Sequence, residues 1–182
     1  MKVFIIAAMS LDGFIAQSDD QRSFDWTSRE DRRWHVKKTK EAGAVIFGRK
    51  TFETFNKALP GRLNLVYSRT KQEEFVEKTA DDLRELKGQT QLYYTQLSPE
   101  EIVNKLKNAG YAGLSVSGGS AVYQVFYDSG VVDEVYITIE PVLFGQGVSL
   151  FKKPTLERKL KYIQSHELNE NSVVLEYRVE KS

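Results

Sequence analysis

Leu114-Ser115-Val116-Ser117-Gly118-Gly119-Ser120-Ala121-Val122-Tyr123 is the stretch from which the rest of the chain is read. Residues 114–117 are a short apolar run bounded by glycine, the pattern of a buried strand. Residues 119–127 then carry a helical pattern. Two glycines between strand and helix let the main chain approach an anion closely, and a helix start offers free N–H groups and a positive dipole end. A pyrophosphate suits such a turn. A plain tight turn, with no ligand, reads equally well from these residues alone.

Working outward, apolar runs of strand length recur at 3–9, 44–47, 63–67, 91–94, 135–139, 162–165 and 173–179. The early runs are continuous instead of alternating, as in strands covered on both faces of a mainly parallel sheet. Residues 28–42 form a long charged helical pattern. Ser98-Pro99-Glu100-Glu101 opens another with a serine cap, proline at the first position and a capping box, ending near Gly110. The last two runs, joined by Asn169-Glu170-Asn171, read as an antiparallel hairpin. The expectation is one α/β domain with a mixed, mostly parallel sheet, helices on both faces and a C-terminal hairpin. Ligands of such sheets bind at the carboxyl ends of the strands. Residues 17–28 are polar and read as a mobile loop.

Composition narrows the chemistry. The 182 residues include 41% apolar and 28% charged positions, ordinary globular usage. Lys plus Arg is 26 and Asp plus Glu is 25, so the net charge of +1 supports no global grip on nucleic acid. With no cysteine and only His35 and His166, disulfide scaffolds, thiolate metal sites, cysteine nucleophiles and zinc deaminases are excluded, and no metal site is expected. No apolar run approaches the roughly 18 residues that span a membrane. The opening Met1-Lys2-Val3-Phe4-Ile5-Ile6 runs on into Ser10-Leu11-Asp12-Gly13 without a clear cleavage site and reads as a first strand, not a signal peptide. A cytoplasmic protein is the expectation.

Two more strand ends bear polar groups. After 44–47 comes Gly48-Arg49-Lys50-Thr51, and after 63–67 comes Ser68-Arg69-Thr70. Forcing Gly43 and Gly48 into a phosphate loop fails, because a residue intervenes before Lys50 and the intervening Ala-Val-Ile-Phe is a strand. Instead, neighbouring strand ends gather glycines, hydroxyls and cations, a set suited to a dinucleotide with an extra phosphate. The fingerprint G-x-G-x-x-G is missing, since Gly145-Gln146-Gly147 is followed by Leu150 where a third glycine belongs.

These motifs, in this order, resemble the dihydrofolate reductase-like superfamily and within it the C-terminal reductase domain of the bifunctional riboflavin-biosynthesis deaminase/reductase (the RibD C-terminal domain). The matching stretches are Met9-Ser10-Leu11-Asp12-Gly13-Phe14-Ile15-Ala16, Gly48-Arg49-Lys50-Thr51-Phe52-Glu53, Pro60-Gly61-Arg62, Ser117-Gly118-Gly119-Ser120, and Asp133-Glu134-Val135 through Pro141-Val142-Leu143-Phe144-Gly145-Gln146-Gly147. The resemblance implies a three-layer fold and an NADPH-dependent reductase passing a hydride to a C=O or C=N of a small molecule. Its first candidate substrate is 5-amino-6-(5-phosphoribosylamino)uracil. Dihydrofolate reduction, or NADPH binding without catalysis, is the alternative.

By position, the resemblance implies that Gly48, Arg49, Lys50 and Thr51 hold cofactor phosphates. Ser68 and Arg69 lie beside the adenosine 2′-phosphate. Gly118, Gly119, Ser120, Ala121, Val122 and Tyr123 cradle the pyrophosphate, and Ala8, Ile15 and Ala16 flank the nicotinamide. Asp12 enters the loop over the site and, with Trp34, faces substrate. Asp31-x-x-Trp34-x-x-x-x-Thr39 has the spacing of a dihydrofolate reductase substrate helix, which makes Asp31 the candidate proton donor. His35, four residues on, is the second candidate. The resemblance also implies a homodimer. Segment 29–40 carries six cations against two anions, and segment 73–85 two cations against six anions; solvated helical faces explain both, and a phosphorylated or carboxylated substrate would explain the first.

Overall fold

The computed structural model describes residues 1–69, 75–153 and 157–181. Thr70, Glu73 and Glu74 of the expectations above lie outside the described residues. The apolar runs form β1 (Lys2–Ser10), β3 (Ala44–Gly48), β4 (Leu63–Tyr67), β5 (Gln91–Thr95), β6 (Gly113–Val116), β7 (Glu134–Glu140), β9 (Leu160–Glu167) and β10 (Val173–Val179). They make one sheet in the order β5-β4-β3-β6-β1-β7-β10-β9. Pairing is parallel from β5 to β7, and β10 runs antiparallel to both neighbours, as the hairpin pattern anticipates.

Alternation along the strands sorts the core into layers. Phe4, Ile6, Val45, Phe47, Val66 and Tyr136 face α1 (Arg29–Ala42) and α2 (Arg49–Phe55). Val3, Ile5, Ile46, Leu65, Leu114 and Val116 face α3 (Ala80–Glu85), α4 (Pro99–Asn108) and α5 (Ser120–Asp128). This is the three-layer dihydrofolate reductase-like architecture. Helix ends follow their signals. Ser28 caps α1 by accepting the Asp31 N–H at 3.1 Å, and Gly43 ends it in the left-handed region at φ 81°. Ser98 and Glu101 form the expected capping box of α4.

Two strands escape the hydrophobic pattern because they are too short to show a period: β2 (Phe14–Ala16) and β8 (Val148–Ser149), which pair antiparallel. Their approach leaves no room for a side chain at Gly147, where a Cβ would sit 2.3 Å from the Ala16 carbonyl oxygen. The segment between β2 and α1 contains a 3₁₀ turn, Ser23–Asp25. Among the described residues no helix is long and apolar enough to cross a membrane.

Candidate functional site

Because β1, β3, β4, β6 and β7 run parallel, their carboxyl ends share one edge of the sheet. There the β3–α2 and β6–α5 connections touch. The Gly48 N–H donates to the Gly118 carbonyl at 2.8 Å. A Cβ on Gly48 would lie 3.1 Å from Val122 Cγ2, and one on Gly118 or Gly119 would lie 3.0 Å from the Thr51 side chain. Gly118 also has φ 125°, which L side chains rarely adopt. The glycines therefore bring the starts of α2 and α5 side by side. Gly48 and Gly119 are the N-caps of these helices, and neither start has a side-chain cap. First-turn N–H groups of α5 remain available to an anion.

The other residues expected near a cofactor divide by role. Arg49 and Lys50 are exposed; Arg49 pairs with Glu53 at 2.7 Å and Lys50 with Asp19 at 3.3 Å. Ala121 is exposed at the α5 start. Ser120 is buried and donates to the Ser149 carbonyl at 2.7 Å, tying α5 to β8. Val122 and Tyr123 are core residues, and the Tyr123 hydroxyl donates to the Ile6 carbonyl at 2.8 Å. They support the turn from behind. Ser68 is buried at the end of β4, and Arg69 beside it is exposed. Ala8 lies near the end of β1, with Ile15 and Ala16 in β2, all partly buried.

Asp12 acts as a clamp. Its carboxylate accepts the Ser10 hydroxyl at 2.6 Å, the Phe144 N–H at 3.1 Å and the Gly145 N–H at 2.6 Å. The Ser10 hydrogen bond, then these backbone donors, hold its pKa below the ordinary carboxylate value. Asp12 thus pins the loop after β7 across the end of β1.

Asp31 lies beneath this edge, in the first turn of α1 and buried. Burial pushes its pKa up to about 6, the Thr138 hydroxyl beside it pulls the other way, and the charge of Glu140 adds to the rise. Thr138 Oγ1 is buried and makes no hydrogen bond of normal geometry among the described residues. Trp26 Nε1 and Thr27 Oγ1 are in the same condition. The site therefore joins a carboxyl that takes up a proton at about pH 6, more readily than a free aspartate, to a buried hydroxyl with hydrogen-bonding capacity to spare.

Asp31, Trp34 and Lys38 share the side of α1 that faces β7 and β10, and His35 does not. Trp34 packs edge-on against Tyr136, centroids 5.7 Å apart, and Lys38 Nζ lies over both rings and 3.9 Å from Glu176. His35 turns toward Arg62. Burial, then the Arg62 charge, lower its pKa to about 4, so it is a neutral imidazole at neutral pH. Arg62 itself is fully buried and donates to Thr39 Oγ1 and to the Pro60 carbonyl. Of the basic residues in segment 29–40, Arg29, Arg33, Lys37 and Lys40 are on the exposed side.

The sequence reading missed Thr138, Glu140 and Arg62. A signal for two of them was present: Glu134, Tyr136, Thr138 and Glu140 alternate with apolar residues, so β7 turns a polar row toward α1.

A family model described as the RibD C-terminal domain matches residues 1–174. The uncharacterised protein YyaP of Bacillus subtilis is 23% identical over 97% of this chain and 94% of its own length. A dihydrofolate reductase of Buchnera aphidicola is 27% identical over 98% of this chain and 97% of its own. The crystal structure of a putative riboflavin biosynthesis protein from Shewanella superposes with a TM-score of 0.74 at 22% identity, covering both chains completely.

Proposed function

Because the chain belongs to the RibD C-terminal domain family, we propose that it is an NADPH-dependent reductase acting on a C=O or C=N of a small substrate. The observation that carries the reading is a protonatable, buried Asp31 at the same sheet edge as the paired starts of α2 and α5. The first candidate substrate is 5-amino-6-(5-phosphoribosylamino)uracil, the riboflavin-pathway intermediate that the family resemblance implies.

The residues fit the cofactor. Glycines at 48, 118 and 119 clear side chains from the crossing of two helix starts, and the uncapped start of α5 suits a pyrophosphate. Arg49, Lys50 and Arg69 are exposed at these strand ends, Arg49 and Lys50 in solvent-accessible pairs with Glu53 and Asp19 that a phosphate would have to displace, and Arg69 is assigned to the 2′-phosphate. Bound NADPH would supply the hydride. The chain aligns the partners, excludes water and delivers a proton from the Asp31 carboxyl to the heteroatom of the reduced bond. Water then reprotonates Asp31. His35, neutral at the working pH, is not assigned this task.

Dihydrofolate reduction is the second reading. It is favoured by the Asp31-x-x-Trp34 helix and by the Buchnera dihydrofolate reductase relative. Loss of the near-ultraviolet absorbance of NADPH with each substrate separates the two. A homodimer remains part of the proposal, to be tested by sedimentation velocity. NADPH binding without turnover on either substrate would leave a non-catalytic binding protein.

A further inference from the structure

Glu140 ends β7 and is almost wholly buried, yet no cation pairs with it among the described residues. Its charge is held by three donors. One oxygen accepts the Ser28 N–H and the Ser28 hydroxyl, both at 2.8 Å, and the other accepts the Ser172 hydroxyl at 2.6 Å. Ser28 is the N-cap of α1, and its hydroxyl oxygen in turn accepts the Asp31 N–H at 3.1 Å. Ser172 stands just before β10. A single carboxylate therefore ties the first turn of the helix that carries Asp31 to two neighbouring strands. It lies two residues beyond Thr138, on the same side of β7.

We propose that Glu140 is a positioning residue of the reductase site: its hydrogen bonds to Ser28 and Ser172 hold the Asp31 turn of α1 against β7, with the Glu140 carboxylate beside the Asp31 carboxyl. The inference rests on the reading of Asp31 as the proton donor. Three hydrogen bonds from Ser28 and Ser172 hold the Glu140 carboxylate in place beside the Asp31 turn. The other groups around Asp31 are few. Thr138 faces it from β7 and Arg32 lies beside it on its own helix, while Tyr123 of α5, in the opposite layer and bonded to the Ile6 carbonyl, feels its charge. Arg62, ahead of β4, acts on His35 one turn further on, and β1, β3 and β6 bring no charged side chain to this end of α1.

The test is a carbonyl ¹³C titration of Asp31 in the free protein, with the pH profile of NADPH oxidation measured alongside, for wild type, Glu140→Gln and Glu140→Asp. In Glu140→Gln the Asp31 midpoint is expected to fall by about one pH unit, and the alkaline limb of the rate profile to move down with it. Glu140→Asp keeps the charge and is expected to keep most of the midpoint, which makes it the check if the glutamine variant does not fold. An Asp31 midpoint unmoved in a folded Glu140→Gln protein, or equally displaced in Glu140→Asp, would overturn the proposal. A midpoint that falls as expected in a chain whose wild type oxidises no NADPH with any substrate would support the coupling of the two carboxyls and overturn the reductase reading instead.

Discussion

Asp12 and Gly145 are joined by a 2.6 Å hydrogen bond across 133 residues of sequence. With the Phe144 amide and the Ser10 hydroxyl, it makes the Asp12 carboxylate the fastening between the end of β1 and the loop leading to β8. The β2–β8 ladder, and through Ser120 the start of α5, lie downstream of that fastening. Replacing Asp12 with Ala is expected to weaken NADPH binding by about tenfold, and Asp12→Asn, with one carbonyl oxygen left to accept, by less. Titration calorimetry checks the affinities. Hydrogen exchange at Phe144 and Gly145 checks the cause.

Asp31 predicts a trade between stability and activity. Its folded pKa of about 6 lies above the ordinary 3.8, so ionisation is costlier in the folded protein. That cost is full above about pH 6 and vanishes below about pH 4, where both states are protonated. Asp31→Asn is therefore expected to stabilise the protein by about 2–3 kcal/mol at neutral pH and by almost nothing at low pH. Thermal denaturation at the two pH values measures the difference.

His35 has the opposite sign. Its folded pKa of about 4 lies below the ordinary 6.5, so the unfolded chain binds a proton that the folded one refuses. Stability on this account is intact above about pH 6.5 and falls as pH drops toward 4. His35→Gln is expected to remove about 2 kcal/mol of that fall without abolishing turnover. Urea titrations across the interval read the slope, and loss of turnover in this variant would count against Asp31 as sole donor.

Arg69 bears on cofactor choice. It is exposed beside buried Ser68 at the end of β4, where a guanidinium can meet a 2′-phosphate with two parallel hydrogen bonds. Arg69→Ala is expected to weaken NADPH binding by about tenfold or more and to leave NADH binding nearly unchanged. An equal effect on both cofactors would remove Arg69 from that role.

Much of the architecture was legible because buried parallel strands must be continuously apolar and helix caps need particular side chains. Ser98, Pro99 and Glu101 mark the start of α4 as they stand in the sequence, and the strand–Gly118-Gly119–helix turn lies where the pattern put it. The β2–β8 ladder was not legible, since three residues carry no period and its determinant, Gly147, is set by a carbonyl over 130 positions away. The site was legible in part. Gly48, Thr51, Gly118 and Gly119 do meet. Helical spacing puts Asp31, Trp34 and Lys38 on one side of α1 but could not show that Asp31 meets Thr138 while Trp34 and Lys38 lean on Tyr136 and Glu176. Nor could it show that His35 and Asp31, one turn apart, have pKa values displaced in opposite directions by burial, with Arg62 adding to the first shift and Glu140 to the second.

The measurement that bears most directly on the account is the rate of NADPH oxidation with 5-amino-6-(5-phosphoribosylamino)uracil and with dihydrofolate, in wild type and in Asp31→Asn. The account predicts turnover of one of the two by wild type and a loss of about a hundredfold or more in the variant, with NADPH affinity unchanged. Tight NADPH binding with no turnover of either substrate, or an Asp31→Asn protein as active as wild type, would contradict it.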